Sequence, residues 1–172
     1  MREEIYITSE DAENMAFKAV EMLKEKHLTC STAESCTGGL VAKLITDVPG
    51  SSEVFHCGIV SYSNDIKEKI LGVKNETLAE FGAVSENTAY EMAEGVSEIS
   101  GADISVSVTG MAGPTSDEPG KPVGLIFFGV RTDKKTKTYR HQTFYEDSVR
   151  NSNRIFASYT ALQYIFKEAE NF

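Results

Sequence analysis

A polar turn at residues 32–39, with the sequence Thr-Ala-Glu-Ser-Cys-Thr-Gly-Gly, constrains the fold of this chain more than any other stretch. It follows a short strand-like run at residues 27–31, and it precedes a segment whose apolar residues fall on one helical face, Leu40, Val41, Leu44 and Ile45. The pattern predicts a strand, a tight turn and a helix N-terminus. Because backbone N–H groups at a helix start attract negative charge, the turn is either a Ser/Thr helix cap with a glycine turn or a ligand site.

The rest of the chain alternates helical and strand-like periodicity. Helix starts are predicted at Thr8 or Ser9, at Ser63, at Ser85 and at residues 147–148, and strands at residues 55–62, 104–109, 123–131 and 136–145. Crossovers between helices and strands favour a parallel sheet, and the hairpin turn at residues 132–135 adds an antiparallel pair. We therefore predict one α/β domain over residues 1–172, a three-layer α/β/α sandwich with a mixed, mainly parallel sheet.

Composition narrows the classes of partner. The net charge of −9, with no Lys/Arg block, argues against nucleic acid or an anionic membrane as the main partner, although a small anionic substrate remains compatible. The acidic N-terminus and the lack of a long apolar run predict a cytoplasmic protein. Three scattered cysteines without a CxxC pair, and no HExxH or Asp-rich loop, give no support to a disulfide framework or a metal site.

Ser35 is the leading candidate nucleophile, and a serine needs a neighbouring base. His27, His56 and His141 do not stand in an obvious orienting motif with an acid. Lys67 follows the end of the second strand, as Ser35 follows the end of the first, and sites in α/β sheets collect at those ends. Lys67 is thus either a neutral buried base or an ordinary solvated helix lysine.

The sequence does not decide the role of two further features, a cysteine and a loop. Cys36 is either a rival nucleophile activated at the helix N-terminus or a small packing residue behind the turn. The segment 110–122 is richer in glycine and proline than the rest of the chain, and loops of this length inside a compact domain are often functional.

Four segments together resemble one family: residues 32–39, residues 58–64 with Lys67, residues 81–85, and residues 109–114 with 121–124. The chain resembles the C-terminal domain of the CinA competence-damage proteins, the nicotinamide-nucleotide amidase family, in its stand-alone form. The resemblance implies hydrolysis of the carboxamide of nicotinamide mononucleotide to nicotinate mononucleotide and ammonia, without a cofactor. A non-catalytic nucleotide-binding or interaction module is the alternative, and a homodimer or larger homo-oligomer is expected.

The resemblance also implies a set of site residues. Ser35 would be the nucleophile, Lys67 its base and Tyr62 a supporting group, while N–H groups of the turn that includes Gly38 and Gly39 would hold the oxyanion. The substrate would also contact residues in and around the matching segments, Glu34, Cys36, Thr37, Asn64, Thr109, Gly110 and Gly113, with Lys121 and Arg150 near its phosphate. Residues 115–118 and Cys57 depart from the usual family pattern, which leaves the exact substrate open.

Overall fold

A five-stranded mixed sheet forms the middle layer of the fold. The computed structural model describes residues 6–116, 118–133, 135–147 and 149–172. Its strands, in the spatial order β2-β1-β3-β4-β5, are β1 (Cys30–Glu34), β2 (Phe55–Val60), β3 (Ile104–Gly110), β4 (Leu125–Arg131) and β5 (Thr136–Gln142). Strand β1 runs parallel to β2 and β3, and β4 runs antiparallel to β3 and β5. Four strands therefore point one way, which confirms the predicted mixed, mainly parallel sheet.

Six α-helices in the described residues cover both faces of the sheet. They are α1 (Ser9–Lys26), α2 (Leu40–Thr46), α3 (Asn64–Leu71), α4 (Asn75–Phe81), α5 (Glu86–Ser100) and α6 (Val149–Glu170). Helices α1, α2 and α6 pack on one face, and α3, α4 and α5 pack on the other, so the three-layer prediction is confirmed. None of these helices combines the length and apolar character that crossing a bilayer requires.

Strand β3 shows how the sequence assigns residues to the two faces. Its apolar residues Ile104, Val106 and Val108 alternate along the strand and join the core beneath α1 and α6. The intervening hydroxyl residues face α5, where Ser107 Oγ donates to the Ala89 carbonyl at 2.5 Å. Both faces are buried, so each buried hydroxyl needs a hydrogen-bond partner within the fold.

The helix caps lie at the positions predicted from the sequence, whereas some strand ends differ from the predicted ones. Ser63 and Ser85 cap α3 and α5 as predicted, and of the two candidates for α1 it is Thr8 that caps the helix. Strand β4 begins two residues later than predicted because Gly124, at φ +85°, adopts a left-handed conformation incompatible with a strand. Strand β5 ends at Gln142 rather than at residue 145, and α6 is described from Val149 onwards, since residue 148 lies outside the described residues.

One edge of the sheet gathers the chain segments of interest. Because β1, β2 and β3 are parallel, their carboxyl ends lie side by side. The turn that leads into α2, the turn that leads into α3, and the long loop after β3 therefore meet at this edge. This is the arrangement in which α/β sheets place their ligand sites.

Candidate active site

A cleft opens at the carboxyl edge of the sheet, between the turns after β1 and β2, the loop after β3 and the start of α6. Its walls combine a serine, a lysine, an arginine and a carboxylate with backbone and apolar groups. The lining residues are Ser35, Cys36, Tyr62, Asn64, Lys67, Ala83, Val84, Thr109, Gly110, Met111, Ala112, Gly113, Thr115, Glu118 and Arg150.

Ser35 and Lys67 are in direct contact in this cleft. Lys67 Nζ lies 3.0 Å from Ser35 Oγ and 2.8 Å from the Ser61 carbonyl oxygen. The Lys67 side chain is 1% exposed, whereas Lys69, two residues further along α3, extends into solvent. This position excludes the solvated-lysine interpretation of Lys67. The cap on α3 contributes, because Ser63 Oγ accepts the Ile66 N–H at 3.4 Å and fixes the first turn that carries Lys67.

Burial changes the acid–base character of Lys67. Removal from water lowers the pKa of the Lys67 ammonium from 10.5 to about 8, because the charged form loses its hydration. Electrostatic attraction from the Glu118 carboxylate offsets part of this effect. A lysine with a pKa near 8 is partly neutral close to physiological pH and can accept a proton from a neighbouring hydroxyl.

Cys36 lies beside the Ser35 turn but has the opposite acid–base character. Burial raises the pKa of its thiol to about 12, so the thiol is protonated at neutral pH. Since the thiolate is the reactive form of cysteine, this environment favours the packing role of Cys36 over the nucleophilic one.

Glu34 holds the N-terminus of α2 through its side chain. The carboxylate is 1% exposed and accepts three backbone N–H groups, from Gly39 at 3.0 Å, Val41 at 3.0 Å and Ala42 at 2.8 Å. These are the N–H groups that a helix start leaves without an intrahelical partner. Glu34 therefore caps α2 from inside the protein, and it does not line the cleft in the described residues.

The two glycines of the turn do not supply free N–H groups, contrary to the expectation for the oxyanion. Gly38 N–H donates to the Ser35 carbonyl at 3.1 Å, and Gly39 N–H donates to Glu34. Their left-handed conformations, at φ +61° and φ +91°, instead let the chain turn sharply into α2. Within the described residues, the backbone N–H of Cys36 has no acceptor outside its own residue and Cys36 lines the cleft, so this group is the available donor next to Ser35.

Arg154 is a site residue that sequence reasoning missed. Its guanidinium donates twice to the Thr37 carbonyl, from Nε at 3.2 Å and from Nη2 at 2.8 Å, and so ties α6 to the Ser35 turn. The one signal in the sequence is its spacing from Arg150, four residues earlier, which places both on one face of α6. Thr37 itself is buried beneath the turn and does not line the cleft among the described residues.

Arg150 and Tyr62 form part of the outer wall. Arg150 donates from Nη1 to the Gly113 carbonyl and from Nη2 to the Tyr62 hydroxyl, both at 2.8 Å. Tyr62 is 61% exposed, so the side chain predicted to support proton transfer lies at the rim, bonded to an arginine. The arrangement brings a cation to the cleft wall, where an anionic group of a ligand would meet it.

Three other predicted residues also line the cleft, in different ways. Asn64 is exposed at the start of α3, and Gly110 ends β3. Thr109 is buried, and its hydroxyl donates to the Ala83 carbonyl at 2.7 Å, which ties the end of β3 to the segment between α4 and α5.

The loop after β3 is attached to the α4–α5 turn by an ion pair. Lys121 Nζ lies 2.5 Å from Glu118 Oε2 and donates to the Phe81 carbonyl at 2.6 Å, so this predicted phosphate ligand does not line the cleft. Glu118 accepts the Val84 N–H at 3.2 Å and does line the cleft. Nothing in the local sequence pattern pointed to Glu118 as a wall residue.

The family relationship follows from comparison with known proteins. Residues 12–169 match the family model described as the CinA C-terminal domain. The chain belongs to this family. A CinA-like protein of Leptospira borgpetersenii is 52% identical over 146 residues, which cover 84% of this chain and 34% of that protein. A CinA-like protein of Kosmotoga olearia is 49% identical over 153 residues, which cover 88% of this chain and 37% of that protein. The chain thus spans about a third of the length of the curated relatives it matches.

Solved structures of the CinA superfamily share the fold. The competence/damage inducible protein CihA from Agrobacterium tumefaciens has a TM-score of 0.82 and 42% identity, covering 89% of this chain and 92% of that one. The CinA superfamily protein ECK1530/EC0983 from Escherichia coli has a TM-score of 0.87 and 30% identity, covering 96% and 95%. These matches confirm the predicted CinA-type α/β architecture.

Proposed function

We propose that this CinA domain is a serine amidase that hydrolyses the carboxamide of nicotinamide mononucleotide to nicotinate mononucleotide and ammonia. The single observation that carries the proposal is the 3.0 Å contact between Lys67 Nζ and Ser35 Oγ, made by a lysine that is almost fully buried. A hydroxyl nucleophile paired with a base of lowered pKa is the arrangement that acyl transfer from an amide requires.

Acylation begins with the neutral amine of Lys67. It removes the Ser35 hydroxyl proton as Oγ attacks the carboxamide carbon, and the carbonyl oxygen becomes an oxyanion. The N–H group of Cys36, which lines the cleft, is the donor proposed to stabilise that oxyanion, and removal of one such donor costs about 3 kcal/mol in well-studied hydrolases. The Lys67 ammonium then gives its proton to the departing nitrogen, which leaves as ammonia.

Deacylation repeats these steps with water as the nucleophile. Lys67, neutral again, takes a proton from a water molecule that attacks the acyl-Ser35 carbonyl. Collapse of the second tetrahedral intermediate breaks the ester bond, and Lys67 returns the proton to Ser35 Oγ. The product forms as a carboxylic acid that releases its proton to solvent and leaves as the nicotinate carboxylate, and the pair is restored for another turnover.

The choice of substrate rests on two arguments. The first is the family resemblance carried by the four sequence segments. The second is the position of Arg150, whose guanidinium lines the cleft and offers a partner for the phosphate of a nucleotide. Recycling of pyridine nucleotides is the role that this reaction would serve, and self-association of the chain stays a prediction.

Ammonia release from nicotinamide mononucleotide tests the proposal. We expect release by the wild type, and we expect Ser35→Ala and Lys67→Met to lower kcat by at least about 10³-fold, as loss of a nucleophile or its base does elsewhere. Lys69→Met is the matched control, since it removes an exposed lysine of the same helix. Nicotinamide riboside and free nicotinamide, assayed in parallel, report whether the phosphate is required.

Two outcomes would contradict the proposal. Undiminished ammonia release in Ser35→Ala or Lys67→Met would eliminate the Ser/Lys mechanism. Tight binding of the nucleotide in calorimetry, with no ammonia released by the wild type between pH 7 and about pH 9, a range that includes the neutral form of Lys67, would favour the non-catalytic binding module instead.

A further inference from the structure

We propose that Glu34 is a positioning residue for the reaction, because its buried carboxylate anchors α2 to β1 and thereby holds Ser35 against Lys67. The inference rests on the proposed function for its role in turnover. Its structural basis is the set of three backbone N–H groups, from Gly39, Val41 and Ala42, that the carboxylate accepts.

The carboxylate of Glu34 is held by backbone groups rather than by a cation. Within the described residues no lysine, arginine or histidine pairs with it, although the side chain is 1% exposed. A buried carboxylate is costly unless hydrogen bonds replace its hydration. Here the unpaired N–H groups and the positive end of the α2 dipole replace that hydration, so the carboxylate and the helix start depend on each other.

The backbone around Glu34 links this interaction directly to the nucleophile. The Glu34 carbonyl accepts the Ser61 N–H at 2.8 Å, and Ser35 N–H donates to the Val108 carbonyl at 2.9 Å. The Ser61 carbonyl in turn accepts the Lys67 ammonium. Residues 34 and 35 are therefore fixed to β2, β3 and α2 at once, and a shift of Glu34 would move Ser35 Oγ relative to Lys67 Nζ.

The same interaction decides which N–H groups of the turn remain open. Glu34 occupies three donors at the start of α2, Gly38 donates to Ser35, and Thr37 is buried beneath the turn, so the N–H of Cys36 is left for the substrate. A ligand anion cannot use the occupied N–H groups unless it displaces Glu34. Glu34 thus directs the reacting carbonyl to the Ser35 side of the turn and leaves a phosphate to the Arg150 wall.

Reaction of Ser35 with a fluorophosphonate, followed by intact-protein mass spectrometry, measures the activated hydroxyl without any assumed substrate. Ser35 Oγ attacks phosphorus, the P–F bond breaks, fluoride leaves, and the hydroxyl proton passes to Lys67. We expect Glu34→Gln to slow this labelling and to lower kcat by about 10- to 100-fold, with KM changed by less than about threefold, because displacements near 1 Å cost rates of that order.

Asp11→Asn is the matched control for loss of a capping carboxylate. Asp11 accepts the Thr8 N–H at 2.8 Å at the start of α1, away from the cleft. Its loss should lower the melting temperature without slowing the labelling. Glu34→Asp keeps the charge but shortens the side chain by one methylene, so we expect an intermediate labelling rate, which keeps the test usable if Glu34→Gln does not fold.

The outcomes separate this inference from the proposed function. Labelling of Glu34→Gln or Glu34→Asp at the wild-type rate would overturn the positioning role. Rapid, Glu34-dependent labelling in a wild type that releases no ammonia from the nucleotide would remove the proposed substrate and leave the positioning role standing. A wild-type Ser35 that the reagent does not label would overturn both, because there would be no activated hydroxyl to position.

Discussion

Replacement of Lys67 by methionine should abolish activity while removing a specific pH dependence of stability. The methionine side chain would fill much of the same buried volume without an amine, so the proton acceptor for Ser35 is lost. The variant also removes a group whose pKa burial lowers from 10.5 to about 8. The structure therefore predicts that Lys67→Met loses activity but gains stability at neutral pH.

The magnitude follows from linkage between protonation and folding. Below pH 8 the lysine is protonated in both the folded and the unfolded chain, so the penalty for burying its charge is constant. That penalty is about 3 kcal/mol, at about 1.4 kcal/mol for each tenfold change in the equilibrium. Between pH 8 and pH 10.5 the unfolded chain binds the proton and the folded chain does not, so stability rises with pH. As the pH rises from 7 to about 9.5, titration of Lys67 should therefore raise the free energy of unfolding by about 2 kcal/mol.

Urea denaturation across that pH range measures this effect. The informative quantity is the free energy of unfolding of the wild type minus that of Lys67→Met at each pH, because other titrating groups cancel in the difference. We expect this difference to rise by about 2 kcal/mol towards the alkaline end. The same comparison with Lys69→Met should stay flat, since Lys69 is exposed and paired only weakly with Asp65 at 4.0 Å.

The activity of the wild type should follow the same titration. Because the neutral amine is the base, kcat/KM should rise through about pH 8 and then level off. Two results together would refute the lowered pKa of Lys67 and its assignment as the general base. They are a difference in the free energy of unfolding that does not change with pH, and a rate that is independent of pH between about pH 6.5 and pH 9, the range that brackets this titration.

Three further predictions concern other residues of the cleft and its supports. Cys36→Ala should retain activity within about threefold, because burial holds the pKa of the thiol at about 12, and a loss beyond about tenfold in kcat/KM would revive the cysteine mechanism. Glu118→Gln removes a charge that favours the Lys67 ammonium, so the rising limb of the rate profile should move to lower pH by less than about one pH unit, and a move to higher pH would contradict the assignment. Gly95→Ala places a methyl group on the Leu71 carbonyl where α5 crosses α3, and urea denaturation should show a loss of about 1–3 kcal/mol, whereas a gain would show that the two helices separate freely.

Much of the fold could be predicted from sequence because the relevant signals are local. The alternation of apolar and hydroxyl residues in β3 decides which face each side chain occupies, and Thr8, Ser63 and Ser85 mark helix starts by hydrogen bonds that span only three residues. Strand ends depend on backbone angles that the sequence pattern does not specify. Where β4 begins depends on the left-handed conformation of Gly124, and a glycine in a sequence does not by itself reveal its backbone angles.

The candidate site also combines features that the sequence predicts with features that depend on tertiary packing. The sequence by itself determined that Ser35 lies in a turn between a strand and a helix and that Lys67 lies on a helix after the next strand. Only the tertiary structure decided that these two side chains, 32 residues apart, are 3.0 Å apart and that Lys67 is buried. Arg154 likewise reaches Thr37 across 117 residues. Glu34 was predicted to contact substrate, but in the structure its carboxylate binds the start of α2. Periodicity and caps depend on neighbours in the chain, whereas burial, pKa and hydrogen-bond partners depend on which distant segments pack together.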